Sequence, residues 1–177
     1  MNKITQEEYD EFKLRVINFV TNNIKEHGKH DPKYCFGPTL FLKAFNKTNK
    51  IAPLPGELFS SQTGKDLAAE ICRDMIKMSE ASVMCFITEG YAASADAINV
   101  DPDNLPRPSQ LPPDQRKEVL FLCFEGYKID QYAICFIKEY NADTRTWKIT
   151  PDNTFSPSKD ELNKARMEGT FTNFYNI

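Results

Sequence analysis

Near the start of the chain, apolar residues recur at helical spacing: Tyr9, Phe12, Val16, Phe19, Val20 and Ile24. Residues three and four apart share one face of a helix, so this stripe predicts an amphipathic helix that needs a partner surface. Thr5 and Glu8 form a capping-box pair ahead of it, and Gly28, just past His27, suits its end.

Farther on, three stretches read almost alike: Val83 to Tyr91, Leu120 to Tyr127 and Ala133 to Tyr140. Successive side chains of a strand point to opposite faces, so parity sorts these residues. Cys85, Ile87 and Glu89 share one parity; so do Phe121, Cys123 and Glu125, and so do Ala133, Cys135, Ile137 and Glu139. Phe86, Phe124 and Phe136 take the other. If the strands are neighbours, one face is expected to carry cysteines leading to glutamates, and the other aromatics.

Two strands are predicted before these, one across Tyr34 to Phe45 and one around Lys50 to Leu54, linked by the polar Asn46 to Asn49. A second helix is expected from about Thr63, with Leu67, Ala68, Ile71, Cys72, Met75 and Met78 as its stripe. The stretch Arg145 to Thr150 suits a further strand, and Ser158 to Glu168 a short helix before an aromatic tail. The order α-β-β-α-β-β-β with short links predicts an α+β domain, a mainly antiparallel sheet with helices packed on it. At 177 residues the chain fits a single domain, 1–177.

Between two of the similar strands lies a long proline-rich loop, 91–116, holding Pro102, Pro106, Pro108, Pro112 and Pro113. Long irregular connections in compact domains tend to be binding loops or lids, and prolines lower the entropy lost on binding. The plain alternative is a solvated excursion.

Composition narrows the function classes. A net charge of −3 leaves no basic footprint for nucleic acid or an anionic membrane. No apolar run reaches transmembrane length, and the acidic, polar start is unlike a signal peptide. The five cysteines are odd in number and four lie in apolar segments, which suits reduced thiols in a cytoplasmic protein.

Candidate chemistry is sparse. Glu89, Glu125 and Glu139 each lie at or near a strand end, where paired carboxylates can divide acid and base roles. The plain reading of each is a carboxylate pointing into water. The strand cysteines have no local activator and read as small buried hydrophobes. The two histidines, in His27-Gly28-Lys29-His30-Asp31, match no zinc signature and read as a helix-ending loop. Asp101-Pro102-Asp103-Asn104 lacks the glycine and closing glutamate of a calcium loop, and Thr63-Gly64-Lys65-Asp66 lacks the frame of a phosphate loop. No metal or cofactor is therefore expected. Arg107, Arg116 and Lys117 make a modest basic cluster around the proline loop, close to Tyr91.

Pro53-Leu54-Pro55, the helix leading into Phe86-Ile87-Thr88-Glu89-Gly90-Tyr91, the proline stretch and Arg116-Lys117-Glu118-Val119-Leu120 together resemble a group of uncharacterised bacterial and phage-type proteins. There the strand ends Ser-Glu-Ala-Trp, where this chain has Thr88-Glu89-Gly90-Tyr91, and an Arg-x-Glu-Val-Leu strand follows a proline loop. The group has no assigned activity. The resemblance implies an arrangement in which Glu89, Tyr91, Arg116 and Glu118 surround one loop.

These observations point to a binding module rather than an enzyme, with Tyr91, Arg107 and Arg116 as anchors for a protein partner or a small anionic ligand. The alternative is a small hydrolase or transferase in which Glu89 is the general base and Arg116 orients the substrate. A homodimer through an exposed sheet edge or aromatic surface fits either.

Overall fold

The computed structural model describes residues 3–44, 49–92, 110–152 and Phe174. Helix α1 spans Gln6–His27, and the Thr5–Glu8 capping box closes its start in both directions. At the other end the Gly28 amide donates to the Ile24 carbonyl. Strands β1 (Thr39–Ala44) and β2 (Lys50–Pro53) follow, then a 3₁₀ turn at Gly56–Ser60 and helix α2, Gln62–Ser79. Glu80, in the left-handed region at φ 53°, ends α2 one residue before strand β3 (Ala81–Ala92). Strands β4 (Lys117–Gly126), β5 (Ile129–Asn141) and β6 (Thr146–Pro151) complete the described chain.

The six strands form one antiparallel sheet in the order β2-β1-β3-β4-β5-β6. The domain is α+β. Among the described residues, no helix is long and apolar enough to cross a membrane.

Register decides which side chains share a face, and it corrects the expected sorting. Cys85 stands opposite Phe124, and Phe86 opposite Cys123. Direct partners point the same way, so Cys85 lies with Phe124 and Phe136 under α1, while Cys123 and Cys135 take the other face. The cysteines are split, as are the phenylalanines. Parity within each strand held, but it carries no information about the offset between strands.

The α1 face buries Tyr9, Phe12, Val16, Val20 and Ile24 against Phe41, Val83, Cys85, Ile87, Leu120, Leu122 and Phe124. Across the sheet, Cys72 and Ile76 of α2 pack with Leu40, Leu42, Met84, Phe86 and Leu54. Three stripe positions differ from expectation: Phe19, Leu67 and Met78 are exposed, while Ala69 and Ile76 are buried. α2 meets the β1–β3 side through Ala68, Ala69, Cys72 and Ile76, so its contact line is rotated away from Leu67 and Met78.

The first strand is also shorter than expected. It starts at Thr39, because Gly37 sits at φ 78° and Pro38 has no amide to give a ladder. Tyr34 to Pro38 is instead an irregular run that drapes over the sheet. The expected C-terminal helix at 158–168 and most of the proline loop lie outside the described residues.

Candidate functional site

The irregular run after α1 is tied to the sheet by three side chains. Trp147 of β6 donates from Nε1 to the Asp31 carbonyl at 3.1 Å. Lys138 of β5 donates to the Tyr34 carbonyl at 3.4 Å. Glu89 of β3 accepts from the Phe36 amide at 3.1 Å.

These three also engage one another. Lys138 Nζ lies 2.7 Å from Glu89 Oε2 and 4.6 Å above the Trp147 ring. The Lys138 side chain is 2% exposed and that of Glu89 is 12% exposed. A lysine so deeply buried needs compensation from opposite charge and hydrogen bonds, and here a carboxylate, a carbonyl and an indole face supply it.

Register builds the rest. Tyr91, Glu118 and Lys138 stand side by side across β3, β4 and β5, all on the α1 face. With Pro32, Lys33, Tyr34, Cys35 and Glu89 they line a cleft of about 350 Å³. At its mouth Tyr91 is 40% exposed, and the Arg116 guanidinium lies 4.2 Å from the centre of its ring.

Charge in the cleft is largely committed. Glu89 uses Oε2 for Lys138 and Oε1 for the Phe36 amide. The Cys35 thiol is held above its ordinary value, first by partial burial of the sulfur and then by the Glu89 charge. Tyr34 is raised too, by burial and then by Glu89, while its hydroxyl donates to Asn23 Oδ1 at 2.6 Å. The cleft is thus a polar pocket with a neutralised floor. It offers surface for recognition more readily than a free base.

Of the sequence-predicted residues, Glu89, Tyr91 and Arg116 come together here, with Glu118 beside them. Arg107 lies outside the described residues. The three glutamates do not converge. Glu125 is on the opposite face, paired to Gln131, and Glu139 is exposed with Lys148 at 3.7 Å. The expectation that strand-end carboxylates point into water is corrected for Glu89 and Glu125, since both lie against elements that cover the strand ends. His27 is exposed in the last turn of α1, and the His30 amide donates to the Arg145 carbonyl.

Sequence reasoning missed Lys138, Trp147 and the Tyr34 to Phe36 run. One signal was present: Lys138 has the parity of Phe136 and Tyr140, a charged residue in an inward phase.

Compared with known proteins, the chain matches no family model, no curated protein and no solved structure.

Proposed function

We propose that this chain is a non-catalytic cytoplasmic binding module that engages a protein partner or a small anionic ligand at the β3–β4 end of its sheet. The observation that carries this reading is the Tyr91–Arg116 stack at the mouth of the cleft. Tyr91 is borne on a strand and braced by a guanidinium, so little side-chain entropy remains to be lost on binding. Tyr and Arg are the side chains that most often dominate interface energetics. In sequence, Arg107 and the rest of the 91–116 loop fall between Tyr91 and Arg116. Association of two copies through the edge strands β2 or β6 is compatible with this use of the loop-bearing end of the central strands β3 and β4.

The alternative reading, a hydrolase or transferase with Glu89 as base and Arg116 orienting the substrate, draws support from the placement of Glu89 in a cleft near Arg116. It is the weaker reading, because Glu89 already accepts from Lys138 and the Phe36 amide.

The test is a paired capture from cell extract by the wild type and by the double variant Tyr91→Ala/Arg116→Ala, followed by titration of whatever the wild type retains. Loss of that species with the folded double variant supports the reading. Equal affinity for both proteins overturns it.

A further inference from the structure

On the face away from the cleft, Phe174 is held as a ligand is held. Its amide donates to Glu125 Oε2 at 2.8 Å, inside the protein. Its ring is 1% exposed and packs with Leu54, Cys72, Ile76, Met84 and Phe86. The Arg73 guanidinium lies 5.6 Å from the ring centre. The receiving carboxylate is itself oriented, since Gln131 Nε2 donates to Glu125 Oε1 at 2.8 Å and contacts Cys123 Sγ at 3.2 Å. A buried acceptor for one main-chain amide beside an apolar ring pocket is the chemistry by which a protein recognises an aromatic residue of a peptide.

We propose that this pocket is an exchangeable recognition site, which accepts the Phe174 segment of a second copy of this chain in place of its own. Three arguments select that occupant. Phe174 of a second copy fits in every contact, because the same residue fills the pocket here. Exchange conserves those contacts, so the enthalpy of docking is equal in both arrangements, which makes swapping an inexpensive route to a dimer. Finally, the 21 residues between Asp152 and Phe174 can span up to about 70 Å when extended, enough to reach a neighbouring copy. What favours the segment's own pocket is proximity, since a tether typically gives a local concentration on the order of millimolar. Disabling that pocket removes the advantage.

This inference is independent of the proposed binding role of the cleft. The experiment mixes two variants with complementary defects. Phe174→Ala keeps the pocket and loses the side chain that fills it; Glu125→Ala keeps the segment and loses its amide acceptor. Each alone is expected to sediment as a monomer of 20.3 kDa. An equimolar mixture is expected to show a species of about twice that mass, with a higher melting temperature than either variant alone. Two folded variants whose mixture stays at monomer mass overturn the proposal. Should either variant fail to fold, affinity-tagged and untagged wild-type chains are unfolded together and refolded at about millimolar concentration. Retention of untagged chain on the tag, absent when the same wild-type chains are refolded together at about micromolar concentration, supports the proposal. Absence of retention overturns it.

Discussion

Lys138 Nζ lies 2.7 Å from Glu89 Oε2, although the two residues belong to β5 and β3, with β4 between them. The pair therefore reaches over a strand, and its two members also grip the Tyr34 carbonyl and the Phe36 amide. One buried contact joins β3, β5 and the run after α1.

Breaking such a pair from one side leaves a buried charge without compensation, at a cost of about 3–5 kcal/mol. Lys138→Met and Glu89→Gln are each expected to destabilise the fold by that order, read from urea unfolding. The double variant should cost clearly less than the sum, because no charge is then stranded. Additive losses would show that the two side chains act separately.

Gly28 tests how closely α1 meets the site. A Cβ there would stand 2.5 Å from the Ile24 carbonyl oxygen and 2.7 Å from Trp147 Cδ1. Both are far inside contact distance, and the indole cannot retreat without losing its bond to the Asp31 carbonyl. Gly28→Ala is expected to lower stability by about 1–3 kcal/mol, the usual cost of overpacking. Because the chain has a single tryptophan, its emission spectrum should shift at the same time. An unchanged spectrum with unchanged stability would disprove the close approach.

The sequence made the elements legible and left their offsets hidden. The capping box and the inner stripe of α1 follow from local rules, and they are found as expected. The facing of Cys85 and Cys123 does not, because it depends on which residues pair across β3 and β4, a choice made by packing on both faces. The same limit hid the site. Lys138 and Glu89 are 49 residues apart, and nothing local announces their contact. Tyr91 and Arg116 were legible as neighbours because they flank one loop, which tethers the ends of paired strands.

Thiol chemistry offers a direct check on burial. Cys72, Cys85, Cys123 and Cys135 are buried, and Cys35 is the exposed free thiol. A disulfide reagent at neutral pH is expected to modify one thiol in the folded protein and five after unfolding. That one reaction should be slow and should accelerate as pH rises, since the Cys35 thiol sits above its ordinary value and the thiolate is the nucleophile. Cys35→Ser should abolish it. Rapid modification of two or more thiols in the folded state would contradict the packing described.

The buried thiols also fix how stability responds to alkali. Burial pushes Cys72 and Cys123 up to about 12 and Cys135 up to about 11, from an ordinary value of 9.0, and it raises Cys85 well above that value. Above pH 9 the unfolded chain therefore releases thiol protons that the folded chain retains. The unfolded state then binds fewer protons, so unfolding free energy falls as pH rises. The contribution is complete below about pH 9 and is lost progressively toward pH 11–12. Each thiol adds a slope of at most about 1.4 kcal/mol per pH unit, and the raised Tyr9 hydroxyl, buried under α1, acts in the same direction. Urea midpoints should thus be level from pH 7 to 8.5 and drop steeply between pH 9.5 and 11. Cys72→Ala should reduce that slope while lowering stability at neutral pH by its lost packing. A stability that holds level to pH 11 would mean that the four thiols are not shielded from water in the folded state.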